Sequence, residues 1–270
     1  MDIKTFDSRP IALPIEKIIK ENETVNTYVF EYSLHSRPGQ FVMLWIPGVD
    51  EKPFSIAFDD RSEFWLTICN VGPATEDLFK LKEGDKVGIR GPFGTAYECS
   101  EGDSIALVAG GYGAAPMYFA MKEALKKNCT VNFFIGARSK DHLLYTQKIA
   151  GYDDVGLHIA TDDGSVGHEG YVTHNLENFC KKNKVDRLFT CGPELMMKAA
   201  CEIGDKYGAD CYLSMEKYMK CGIGVCGQCA IDDTGVLACK SGPVMRYKDV
   251  KDLPEFGSYH RDAQGKKHKF

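Results

Sequence analysis

The sequence predicts a β plus α/β chain: an N-terminal antiparallel β-barrel, a parallel-sheet α/β unit and a C-terminal loop built on cysteines. Three observations predict it. Up to about residue 100, short apolar runs follow one another closely with turn residues between them, the pattern of a small barrel. From Gly102 onward, strands recur roughly every 25 residues with helical stretches between them, the pattern of a parallel sheet. After Ser214, Cys221, Cys226, Cys229 and Cys239 fall in the spacing C-x4-C-x2-C-x9-C. The expected units are residues 1–101, 102–214 and 215–270.

The barrel strands are Gly39–Gly48, Pro53–Phe58, Glu63–Asn70 and Lys86–Arg90, apolar runs bounded by turn residues such as Glu83-Gly84-Asp85. A short helix, Thr75–Leu81, interrupts them. In the second unit, Ser104–Ala109 reads as a buried strand that enters Gly110-Gly111-Tyr112-Gly113-Ala114-Ala115-Pro116 and then a helix to about Lys127. Val131–Ile135, Leu157–Thr161 and Arg187–Thr190 follow as strands. A helix from Glu194 to about Tyr207 leads to Cys211–Ser214, the expected final strand. Beyond it the sequence predicts the cysteine loop and an irregular tail, with the basic ending Lys266-Lys267-His268-Lys269 solvated.

Composition sets bounds. The chain has 270 residues, 44% hydrophobic and 26% charged, which suits one or two globular domains. A net charge of -5 gives no footprint for nucleic acid. Met1-Asp2-Ile3-Lys4 lacks the apolar core of a signal peptide, and no apolar run approaches the roughly 18 residues of a membrane span. The expectation is a cytoplasmic protein with reduced thiols and no membrane partner. Of the 11 cysteines, the seven outside the C-terminal motif (Cys69, Cys99, Cys129, Cys180, Cys191, Cys201, Cys211) are scattered, as small buried hydrophobes are.

The C-terminal motif carries the chemistry. Four thiolates at one place suit a soft metal centre, and C-x4-C-x2-C is the plant-type [2Fe–2S] opening. Gly222, Gly224 and Gly227 suit a loop that folds tightly round sulfide. Four cysteines also hold zinc, although zinc sites usually come as two short knuckles and only one is present.

Gly110, Gly111, Gly113 and Pro116 lie where a strand meets a helix. There a bare backbone can approach a pyrophosphate, and Pro116 fits the first helical turn. A plain tight turn explains the same residues, and G-G-x-G-x-x-P is not the dinucleotide fingerprint G-x-G-x-x-G. Lys52, Pro53, Phe54 and Ser55 bring a cation, a ring and a hydroxyl together, yet alone read as ordinary strand. Gly72-Pro73-Ala74-Thr75 and Gly91-Pro92-Phe93-Gly94 read as turns. Cys191-Gly192-Pro193 closes a parallel strand at its carboxyl end, where open sheets bind ligands. Cys191 is there either a reactive thiol or a small residue.

The order of these pieces resembles the ferredoxin–NADP reductase superfamily. Within it the chain resembles the electron-transfer subunits of dihydroorotate dehydrogenase, over nearly its whole length. The specific part is Lys220-Cys221 to Cys229 followed by Cys239-Lys240-Ser241-Gly242-Pro243-Val244. The resemblance implies FAD at Lys52, Pro53, Phe54 and Ser55 (the family's R-P-x-S, here with Lys) and at Gly72, Ala74 and Thr75. It implies a nicotinamide nucleotide at Gly110, Gly111, Gly113, Pro116, Cys191, Gly192 and Pro193, and a [2Fe–2S] cluster on the four cysteines. It implies electron transfer among NAD(H), FAD and cluster, coupled to an FMN-containing catalytic subunit that oxidises dihydroorotate to orotate in pyrimidine synthesis. Similar modules occur in sulfide dehydrogenase-type and NAD(P)H–ferredoxin oxidoreductase subunits. An iron–sulfur redox sensor on the same scaffold would need neither FAD nor NADH. Arg138 and Lys140 could meet a 2′-phosphate or simply be solvated.

Overall fold

A computed structural model describes residues 9–270; the reading of Met1–Lys4 falls outside them. The first sheet contains β1 (Ile11–Pro14), β2 (Lys17–Lys20), β3 (Val25–Phe30), β4 (Phe41–Ile46), β5 (Asp50–Asp59), β6 (Phe64–Cys69) and β7 (Lys86–Phe93), with helix α1 (Pro73–Leu78) before β7. All its pairings are antiparallel, in the order β1-β7-β4-β5-β6-β3-β2. The two ends of that order, β1 and β2, are consecutive in the chain. Ile15 donates to the Asp85 carbonyl and Glu16 to that of Val29, so the sheet curls round and its ends meet there. Alternation drives the curl: along Phe64–Cys69 every second residue is buried. The interior is filled by Tyr28, Phe30, Leu44, Ile56, Phe64 and Leu66.

The second sheet is built from β8 (Ser104–Gly110), α2 (Ala114–Leu125), β9 (Thr130–Ala137), α3 (Thr146–Ala150), β10 (Val155–Thr161), β11 (His168–Glu169), α4 (Val172–Cys180), β12 (Arg187–Cys191), α5 (Glu194–Lys206) and β13 (Asp210–Ser214). Helix α6 (Ala238–Ser241), β14 (Val244–Arg246), α7 (Tyr247–Val250), β15 (Tyr259–Arg261) and β16 (Lys267–Lys269) complete the chain. The strand order is β11-β10-β9-β8-β12-β13-β14, parallel except at β13–β14. From β8 the chain winds outward to β9 and β10, then returns to lay β12 on the other side of β8. The carboxyl ends of β8 and β12 therefore flank a crevice. Helices cover both faces, which is why Ile105–Gly110 is buried throughout.

Two expectations are corrected. Cys211–Ser214 is not the final strand, because β14 pairs antiparallel along it, Leu213 opposite Met245. The tail is not irregular, and its basic ending is not simply solvated. Tyr259–Arg261 and Lys267–Lys269 form a hairpin, and Lys267 and Arg261 both reach Asp232. Strands of three residues are too short for periodicity to show. Strand β5 also begins earlier than expected, at Asp50. It pairs with β6 only from Ile56, so Lys52–Ser55 is bordered by β4 alone. Among the described residues, no helix is long and apolar enough to cross a membrane.

Candidate functional site

At the crevice the two loops touch through bare backbone. A β-carbon on Gly110 would fall 2.6 Å from the Pro193 ring, and one on Gly192 (φ +147°) would fall 2.8 Å from the Gly110 nitrogen. The Cys191 carbonyl fills the place a β-carbon on Gly113 would take. Three of the singled-out glycines are thus demanded by packing between the loops. Gly111 differs: its φ is +53° and nothing lies within 4 Å of its missing side chain. Pro116, in the first turn of α2, is buried.

A cleft of about 290 Å³ runs from this crevice to the first sheet. The first sheet and its α1 turn supply Pro53, Phe54, Ser55 and Thr75. The second supplies Gly113, Pro116, Cys191 and Gly192, and the end of β13 with the segment after it supplies Ser214–Lys217 and Met219. The structure so brings together eight of the fourteen residues singled out for cofactors. Gly72, Ala74, Gly110, Gly111 and Pro193 adjoin it in sequence without lining it. Thr75 holds its turn by accepting from the Val71 and Gly72 amides (2.9 and 3.0 Å) and donating to the Gly72 carbonyl (2.8 Å).

Lys52 is engaged elsewhere. Its Nζ lies 2.6 Å from Asp50 and donates to the Tyr218 hydroxyl at 3.2 Å. Burial works to lower its pKa, but these two partners raise it overall. The charge of the flavin-type motif is thereby tied to the segment that carries the cysteines. Cys191 is not a poised nucleophile: burial, reinforced by Glu216, pushes its thiol up to about 12.

Sequence reasoning missed Tyr112, Glu216, Lys217 and Met219. The Tyr112 hydroxyl donates to Glu216 at 3.4 Å, and burial followed by the Glu216 charge raises its pKa. A tyrosine inside a glycine turn was the available signal. Nothing in the sequence marks Ser214–Met219, which only the chain's return beneath the first sheet brings to the cleft. A second, more polar cleft of about 750 Å³ opens between Asp59–Arg61 and the end of α2. It contains none of the singled-out residues, and several of its charges are paired, Arg37 with Glu98 and Lys126 with Glu123.

The cysteine loop turns on Gly222, Gly224 and Gly227, with φ of +70°, +81° and +73°. These turns aim amides at sulfur: Val225 and Cys226 each donate to Cys221 Sγ at 3.4 Å, and Cys239 to Cys229 Sγ at 3.4 Å. Burial alone would raise the Cys221 thiol; the amides of Cys226, Ile223 and Val225 bring it down to about 6. Cys239 is pushed up to about 12 by burial and by Cys229, with Cys221 near enough to add to the shift. The thiols thus stand as two neighbouring pairs, Cys221 with Cys226 and Cys229 with Cys239. Among the described residues, no three His, Cys, Asp or Glu side chains gather round one point as a single metal ion requires. Four cysteines on a loop that aims its amides at sulfur fit a two-iron cluster, which Cys221, Cys226, Cys229 and Cys239 would hold. Cys229 and Cys239 are buried, whereas Cys226 is exposed and Val225 beside it is 78% exposed. Below the loop, Phe41, Met43 and Phe93 on the outside of the first sheet pack with Met219, Cys229 and Cys239.

Comparison with known proteins agrees with this geometry. Residues 216–251 match the family model described as the iron–sulfur cluster binding domain of dihydroorotate dehydrogenase B. Residues 107–202 match an oxidoreductase NAD-binding domain. A probable dihydroorotate dehydrogenase B (NAD(+)) electron transfer subunit of Methanocaldococcus jannaschii is 45% identical over 96% of this chain and 98% of its own. One from Thermococcus kodakarensis is 40% identical over 90% and 98%. A solved NADH-dependent reduced ferredoxin–NADP oxidoreductase superposes with a TM-score of 0.81 at 29% identity, covering 90% of this chain and 91% of that one.

Proposed function

The chain belongs to the family of dihydroorotate dehydrogenase B electron transfer subunits, and from that membership we propose that it carries electrons between NAD(H) and an FMN-bearing catalytic subunit that oxidises dihydroorotate to orotate. The observation that carries this reading is the shared cleft. One cavity is lined by the flavin-type strand, the nucleotide-type crevice and the segment running into the cysteine loop. In this reading residues 1–101, 102–214 and 215–270 are the flavin, nucleotide and cluster units.

When bound, FAD would supply hydride exchange with the nicotinamide and single-electron exchange with the [2Fe–2S] cluster. The protein's part is placement. Pro53, Phe54 and Ser55 would present the strand edge left by β6 to the flavin, with Gly72, Ala74 and Thr75 turning the chain beside its phosphates. Lys52, held by Asp50 and Tyr218, would set that strand against the cluster segment. Gly110, Gly111, Gly113 and Pro116 would offer bare backbone to the nicotinamide nucleotide, and Cys191, Gly192 and Pro193 would form the opposite wall. The Cys191 thiol stays protonated and acts as a small, dry surface. Cys221, Cys226, Cys229 and Cys239 would hold the cluster, with Cys226 on the outer side where a second subunit can approach. The reading carries with it a reducing cytoplasmic setting, where thiols stay available to iron.

Reconstitution tests this. The isolated chain should reduce an artificial dye with NADH and make no orotate. Adding the FMN-bearing subunit from the same cell should couple orotate formation to NAD reduction. Orotate made by this chain alone, or no coupling with that subunit, would overturn the reading.

A further inference from the structure

We propose that Arg90, with Glu51 as its counter-ion, sets the reduction potential of the cluster that the four cysteines would hold; this rests on the cluster reading above. Arg90 lies on β7 opposite Met43, and its side chain is only 10% exposed. Its Nε and Nη2 donate to the two Glu51 carboxylate oxygens at 2.7 and 2.6 Å. Nη2 also donates to the Cys221 carbonyl at 3.1 Å. Its guanidinium thus touches the cysteine loop at the backbone of Cys221 itself, while Glu51 is held on β5, with β4 between it and β7. The surroundings are apolar: the guanidinium carbon is 5.7 Å from the Phe93 ring centre, and Phe93 packs with Phe41, Met43, Cys229 and Cys239.

One-electron reduction adds one negative charge to the centre. A cation beside it stabilises the reduced form and raises the potential, while an anion does the reverse. The effect grows as the dielectric falls, so a buried charge outweighs an exposed one. Lys220 and Lys240 also lie in or beside the loop, but both are exposed to solvent. Arginine keeps its charge at any working pH, so the contribution is fixed rather than switched. Glu51 partly offsets it. The pair therefore predicts shifts of opposite sign, which a purely structural tether would not give.

The test is a potentiometric titration of the purified holoprotein, with the reduced cluster followed by electron paramagnetic resonance. Arg90→Gln should lower the midpoint potential and Glu51→Gln should raise it. Arg90→Lys should return it toward the wild-type value, and the double variant Arg90→Gln/Glu51→Gln should fall between the two singles. Single variants that both move in one direction, or that leave the potential unchanged with the cluster intact, would overturn the proposal. If Arg90→Gln fails to assemble a cluster, Glu51→Gln decides alone, and anything other than a rise refutes it. Wild-type protein prepared anaerobically with no iron would instead overturn the cluster reading on which the proposal stands.

Discussion

The carbonyl of Cys191 stands where Gly113 would carry a side chain. That contact welds the end of β12 to the turn after β8, and so builds the crevice from two segments far apart in sequence. Gly113→Ala should force the loops apart and cost about 1–3 kcal/mol as an overpacked contact does. Both stability and NADH turnover should fall. Gly111→Val should act otherwise. Its side chain would meet no neighbour, but a β-branched residue at φ +53° is strained by about 1–3 kcal/mol. Its KM for NADH should rise while FAD stays bound, as read by steady-state kinetics and flavin content. Unchanged NADH kinetics in a folded Gly111→Val protein would place the nucleotide elsewhere.

Cys226→Ser should lose or cripple the cluster and keep FAD, because Cys226 is exposed at the loop's outer side and does not line the cleft. Cys239→Ser should do more damage. Cys239 is buried among Phe41, Met43 and Met219, and Phe41 and Met219 also line the cleft. Iron and flavin assays with visible spectra on both variants check this. A normal cluster spectrum in Cys226→Ser would remove it from the ligand set.

Lys217 lines the cleft and is paired with Glu255, whose side chain is 2% exposed. Lys217→Met should destabilise the protein by about 3–5 kcal/mol, because it leaves a buried carboxylate without its partner. Lys217→Met/Glu255→Leu should recover most of that loss. Denaturant unfolding of the two variants beside wild type checks the pair. Equal destabilisation of single and double variants would show that packing, not charge, matters there.

Asp232 and Glu194 should respond to pH with opposite signs. Hydrogen bonds from Arg261 and Tyr259 hold the Asp232 carboxyl well below its usual range. Its stabilising contribution is therefore present above about pH 4 and is lost as pH falls toward the folded-state value. Asp232→Asn should cost about 1–2 kcal/mol at pH 7, with the gap to wild type closing in acid. Burial raises Glu194, so its protonated form favours folding. That contribution is present at pH below about 4 and is lost as pH rises through its raised pKa. Glu194→Gln should accordingly gain on wild type toward neutral pH. Unfolding curves from pH 3 to 8 decide both, and a gap independent of pH would refute either assignment.

The two sheet types, the place of the glycine turn and the four cysteines are legible in the sequence. Each of these is local: strand alternation, a strand running into a helix, and a fixed thiol spacing all lie within a few residues. The sequence also marked Gly110, Gly113 and Gly192, but not that each lies against the facing loop too closely for a β-carbon. Strand β14 and the C-terminal hairpin escaped it because three-residue strands carry no periodicity. Folding in three dimensions is what brings Ser214–Lys217 and Met219 to the cleft, turns Lys52 to Asp50 and Tyr218, and carries Arg90 to Cys221. The bonds of Lys52 to Tyr218 and of Arg90 to Cys221 join residues more than a hundred positions apart. They arise because Phe41, Met43 and Phe93 leave an apolar face outside the first sheet, and the cysteine segment buries it.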